Sequence, residues 1–109
     1  MLAKNNQFKL RLDRNFFSTA SLAKSANSKL YYQIDNTKIA KGMVRVIAKN
    51  TPLASKRNSL RRKYEAVWQE QINLGTWPGG KYALIVSKGN NYQEQILSEL
   101  DTMRQRVND

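Results

Sequence analysis

The side chains with the most chemical capacity here are closely spaced cations: Lys56, Arg57, Arg61, Arg62 and Lys63, in the stretch ASKRNSLRRKYEAVW from Ala54 to Trp68. Guanidinium and ammonium groups in such a row recognise phosphate oxygens and do not exchange protons near neutral pH. Groups for covalent or acid–base work are missing. With no Cys and no His, the chain offers no disulfide, thiolate nucleophile, imidazole base or metal site built on either residue. The carboxylates are scattered, and no P-loop or Gly-rich phosphate turn opens a helix. The chemistry to expect is anion binding, with no acid, base or metal supplied by this chain.

These cations must be placed by a helix. Ser55 is positioned to cap one that runs to Leu74 and closes at Gly75. Leu60, Tyr64, Val67, Gln71 and Leu74 form its core stripe with Trp68 at the margin, and Asn58, Arg61, Arg62 and Glu65 project from the neighbouring side, with Arg57 on the boundary. A helix start carries partial positive charge, so each cation there is disfavoured by ~0.3–1 kcal/mol at low salt. The last helix has the opposite order, opening with Glu94 and Glu99 and ending with Arg104 and Arg106. Glu65 lies within reach of Arg61 or Arg62, yet one acid cannot neutralise five cations. A phosphate backbone docked at that end would supply the missing charge.

The remaining elements follow from periodicity. Leu10 to Leu22 reads as an amphipathic helix carrying Leu12, Phe16, Phe17 and Leu22, followed by a polar break over Ser25–Ser28. Lys29–Asp35 alternates as a strand, with Leu30, Tyr32 and Ile34 on one side and Tyr31 among polar residues on the other. Residues 39–49 form a second strand, with Val44, Val46 and Ala48 on one face and Met43, Arg45, Ile47 and Lys49 on a partly basic one. Pro52 ends it. After the Trp77-Pro78-Gly79-Gly80 turn, Tyr82–Lys88 reads as a buried strand; Asn91 with Glu94 then starts a helix carrying Ile96, Leu97, Leu100, Met103 and Val107.

At 109 residues with 40% hydrophobic content, the chain is expected to form one domain over 1–109, with residues 1–9 and 108–109 as flexible ends. The net charge of +11 is uneven: residues 1–63 hold fifteen of nineteen Lys and Arg against Asp13 and Asp35, whereas residues 64–109 hold four against six acids. Nucleic acid is the first partner class for such a field and an anionic membrane surface the second. No apolar run reaches the ~20 residues of a membrane span and no signal-peptide pattern opens the chain, so a cytoplasmic location is expected.

The order helix, strand, strand, helix, strand, helix, with ASKRNSLRR between the second and third strands, resembles the bacterial ribonuclease P protein component. Ala54, Arg57, Asn58, Leu60, Arg61 and Arg62 fit that family's Arg-Asn-Arg region; Ser59 takes the motif's third place, and Glu65 stands where a further Arg is usual. The resemblance implies an α/β (α+β) sandwich with a left-handed strand–helix–strand crossover. Periodicity does not give that hand, since such connections are right-handed in about 98% of cases.

The resemblance further implies that Arg57, Asn58, Arg61 and Arg62, with Lys56 and Lys49, contact RNA, and that Phe16 or Phe17 and Tyr32 line a cleft for the single-stranded 5′ leader of precursor tRNA. Aromatic faces stack on unpaired bases with little sequence preference. Each aromatic also has a core reading: one of Phe16 and Phe17 is expected inside, Tyr32 shares a face with Leu30 and Ile34, and Trp68 and Trp77 read as structural. The implied partners are a catalytic RNA subunit, which would bind the Mg²⁺ and perform the hydrolysis, and precursor tRNA, with no obligate protein partner. Two other classes fit the charge: a structural RNA-binding protein such as a ribosomal component, and a DNA-binding nucleoid protein, against which the flanking strands count.

Overall fold

The computed structural model describes residues 2–9, 15–25, 27–35, 37–47, 52–87 and 92–108. A 3₁₀ turn at Lys4–Asn6 is followed by α1 (Phe16–Thr19), β1 (Ser21–Lys24), β2 (Ser28–Ile34), β3 (Ala40–Val46), α2 (Ala54–Asn73), β4 (Gly80–Val86) and α3 (Gln93–Asn108). The strands form one sheet in the order β1-β2-β4-β3, with β3 and β4 parallel and the other pairs antiparallel. Parallel neighbours need a crossover, and α2 is that connection.

The first helix ends earlier than the apolar spacing predicts. Among the described residues between positions 10 and 22, Phe16–Thr19 is α-helical, and Leu22 belongs to a strand. Tertiary pairing overrides local pattern here: Ala23 lies opposite Leu30 and Lys24 opposite Lys29, and the Ser25 amide donates to the Ser28 carbonyl at 2.9 Å to close the hairpin. Alternation then sends Ala23 into the core and leaves Leu22 on the other face, 43% exposed.

The two sheet faces differ sharply. Leu30, Val44, Val46, Tyr82, Leu84 and Val86 face the helix layer and meet Leu60, Tyr64, Val67 and Trp68 of α2 and Ile96, Leu100 and Met103 of α3. β4 lies between β2 and β3 and is buried on both sides at Tyr82, Ala83 and Leu84, which explains its continuous apolar run. Trp68 and Trp77 are core residues, with ring centroids 5.3 Å apart, and the indole N–H of Trp77 donates to Gln71 Oε1 at 2.8 Å. Gly42 makes room for Trp68: a Cβ there would lie 2.7 Å from Trp68 Cη2.

Helix α2 ends as its sequence signals, with Gly75 at φ 72° following Leu74. Its start differs from expectation. Leu53 is the N-cap, the helix begins at Ala54, and no side chain caps it; Ser55 lies inside the helix. The hairpin and both long helices meet at Glu99, whose carboxylate accepts hydrogen bonds from Tyr64 Oη at 2.6 Å, from Ser25 Oγ at 3.3 Å and from the Ser28 hydroxyl. The N-terminal segment, read from its polar composition as a loose end, is packed: Leu2 and Phe8 are buried, and Gln7 forms a parallel bridge with Gly42 along the free edge of β3.

Candidate nucleic-acid interface

Strand register fixes which side chains share the sheet face away from the long helices. Tyr31 lies opposite Leu22 and Ala83, Ala83 opposite Met43, and Lys29 opposite Lys24 and Ile85, which in turn lies opposite Arg45. The next rung outward from Tyr31 aligns Gln33, Lys81 and Lys41. One face therefore carries Lys24, Lys29, Lys41, Arg45 and Lys81 around an apolar and aromatic centre. Asp35, at the end of β2, is the acid beside Lys41 and Lys81; its carboxyl is held below the usual range first by the hydrogen bond from the Thr37 hydroxyl and also by those two cations.

The first-helix aromatics divide the work between them. Phe16 is fully buried against Ala83 and Phe8, with Phe8 and Phe16 ring centroids 4.8 Å apart. Phe17 is 45% exposed and stands edge-on to Tyr31, with centroids 4.8 Å apart at an interplanar angle of 84°. Phe17 and Tyr31 form one wall of an open groove of about 360 Å³, completed by Lys29, Ile47, Ile85 and Ser87. Two partly open π-faces beside a lysine suit an unpaired nucleobase whose phosphate is held by the cation.

Tyr32, expected in this groove, lies on the opposite face and packs against the main core with Leu30 and Tyr82. The alternation itself carried the signal: Lys29, Tyr31 and Gln33 form the polar set of β2, and an aromatic among polar neighbours on a half-buried strand is the one directed at solvent. Lys29, Ile47 and Ile85 also belong to the groove, and only assembly of the sheet brings them together. Lys49 lies outside the described residues.

The second cationic surface is the start of α2. Lys56, Asn58, Arg62 and Lys63 are exposed, and Arg57 is half-buried, with Nη1 donating to the Pro52 carbonyl at 2.8 Å. Arg61 Nε lies 3.6 Å from Glu65 Oε1, while Glu65 Oε2 accepts the Leu2 amide at 3.1 Å. Among the described residues, Lys56, Arg62 and Lys63 have no ion-pair partner. The first turn contains no acid and no side-chain cap, so its amides and its cations face the same direction electrically. That is the arrangement a polyanion neutralises.

No protein-family model and no curated protein matches the chain. Solved structures do. The RNase P protein of Staphylococcus aureus superposes with a TM-score of 0.75 at 15% identity, covering 95% of this chain and 96% of that one. A mutant of the S. aureus protein with defective mRNA degradation activity gives a TM-score of 0.81 at 13% identity, with 96% and 90% covered. The RNase P protein of Thermotoga maritima gives 0.65 at 18% identity, with 93% and 90% covered. Across nearly its whole length, the chain has the fold of the bacterial RNase P protein.

Proposed function

We propose that this chain is the protein subunit of ribonuclease P, binding a catalytic RNA through the start of α2 and the 5′ leader of precursor tRNA across the basic sheet face. The observation that carries this reading is the pairing of two separate cationic surfaces on this fold. One is helical and uncapped; the other is a sheet groove with exposed aromatic edges. A convex row of Lys56, Arg57, Asn58, Arg61 and Arg62 suits the phosphates and 2′-hydroxyls of a folded RNA. A groove offering Phe17 and Tyr31 beside Lys29 suits a strand with unstacked bases.

In this assembly the chain's residues bind and orient. Arg57 is braced by the Pro52 carbonyl at the helix start, and Arg62, which has no ion-pair partner among the described residues, reaches phosphate beside it. Lys24, Lys29 and Arg45 hold the leader backbone along the face. The RNA subunit and its Mg²⁺ would supply the hydrolysis.

The test is reconstitution. The purified chain alone leaves precursor tRNA uncut, and added to its RNA subunit it lowers the Mg²⁺ concentration needed for cleavage at the 5′ end. An unchanged Mg²⁺ requirement, with tight binding to an rRNA fragment instead, would favour the structural RNA-binding reading.

A further inference from the structure

The N-terminal segment passes from one cationic surface to the other. Leu2 is buried in the core under the long helices, whereas Phe8 is buried in the aromatic cluster on the opposite sheet face, so residues 2–8 wrap around the free edge of β3. The wrap is clasped along its length. The Leu2 amide donates to Glu65 Oε2 at 3.1 Å and the Ala3 amide to Gln69 Oε1 at 2.7 Å. Asn6 Nδ2 donates to the Ala40 carbonyl at 2.8 Å, Gln69 Nε2 donates to Asn6 Oδ1 at 3.2 Å, and the Phe8 amide donates to the Gly42 carbonyl at 2.9 Å. At its first end the clasp shares Glu65 with Arg61 of α2, and at its last Phe8 supports Phe16 beneath the groove.

The segment carries both buried anchors and exposed cations. Leu2, Asn6 and Phe8 are buried; Lys4 and Lys9 are exposed, and among the described residues neither has an ion-pair partner. No acid occurs in residues 2–9. Lys41 and Arg45, exposed on β3, continue the positive charge onto the sheet face.

We propose that this clasped segment is a third RNA-binding element, a cationic seam in which Lys4 and Lys9 hold phosphates of RNA passing around the β3 edge, with Gln69 as the positioning residue. The inference rests on the reading above in taking RNA as the partner. It adds a contact surface lying between the two already described. A segment that merely covered a strand edge would need its anchors but not its cations.

The experiment measures affinity against salt for the full chain with Lys4→Ala and Lys9→Ala combined, in two arms. One arm uses the RNA subunit alone; the other uses precursor tRNA bound to the assembled complex. Removing two phosphate contacts lowers the salt slope by ~1.4–1.8, which narrows the affinity gap to the unmodified chain by about tenfold over a fourfold rise in salt. A flattened slope in the first arm assigns the seam to the RNA subunit, and in the second to the leader. Unchanged slopes in both arms overturn it.

Gln69→Ala supplies the positional control. It keeps every cation yet removes two of the clasp's hydrogen bonds, those to the Ala3 amide and to Asn6, so it reproduces part of the slope change, and adding Lys4→Ala to it costs less than Lys4→Ala alone. Thermal melts establish that the variants remain folded. The unmodified chain separates the two claims: leader-dependent binding with unchanged variant slopes removes the seam alone, whereas a flattened slope without leader dependence removes the assignment of the groove and leaves the seam.

Discussion

Arg61 and Arg62 are adjacent and both exposed, yet the structure gives them different electrostatic weight. Arg61 Nε lies 3.6 Å from a Glu65 carboxylate that is only 7% exposed, whereas Arg62 has no such neighbour among the described residues. Changing Arg62 to Ala should remove one full phosphate contact, lowering the slope of log affinity against log salt by ~0.7–0.9 and narrowing the gap to the unmodified chain about threefold over a fourfold salt increase. Arg61→Ala removes a charge already half-committed within the protein, so its slope change should be less than about half that size. It has another cost, the loss of the 3.6 Å Arg61–Glu65 ion pair, a destabilisation of ~0.5–1 kcal/mol visible in thermal unfolding. Fluorescence anisotropy with labelled RNA subunit at four or more salt concentrations, beside melting curves, measures both quantities. Equal slope changes for the two variants, or no change for Arg62→Ala, would refute this electrostatic account of α2.

Other consequences follow from placement. Tyr31→Ala should weaken leader binding by ~1–3 kcal/mol with little effect on melting, whereas Tyr32→Ala should lower the melting temperature and leave leader affinity of the folded fraction intact; the reverse pattern would return Tyr32 to the groove. Gly42→Ala forces a methyl to 2.7 Å from a fully buried Trp68 ring, which should cost ~1–3 kcal/mol and at least ~4 °C in Tm, read by circular dichroism. Because Asp35 has a depressed carboxyl pKa in the fold, the stability it contributes is present above its unfolded value and lost as pH falls through the folded one. Thr37→Val, which removes the largest cause, should therefore reduce the acid-side loss of stability in melts taken from pH ~5 downward, and an identical pH profile would show the contact to be idle.

Much of this architecture is legible because its strongest signals are local. Within the predicted α2 stripe Leu60, Tyr64, Val67 and Gln71 are buried, whereas Leu74, at the C-cap, is exposed; Gly75 closes the helix. Strand alternation separates Val44 and Val46, which are buried, from Met43, Arg45 and Ile47 on the other face. Leu22 and the N-terminal segment depart from their local pattern because they depend on partners distant in sequence. Leu22 fits a helical stripe until β2 offers a pairing edge, whereas the alternation of β2 already sets Tyr31 apart from Tyr32. The tethering of Leu2, Ala3 and Asn6 depends on Glu65 and Gln69, more than sixty residues away, and no local pattern announces it. No side chain caps α2, which leaves its first turn positive as its sequence suggested, although Ser55 plays no part in starting it.

The most direct measurement is the affinity of precursor tRNA for the chain assembled with its RNA subunit, as the 5′ leader is trimmed one nucleotide at a time. If the groove between Phe17 and Tyr31 and the cations of the sheet face hold the leader, affinity falls stepwise as nucleotides leave that face and then levels off, and Tyr31→Ala removes part of the steps. Affinity independent of leader length, in a complex that still assembles through α2, would contradict the account.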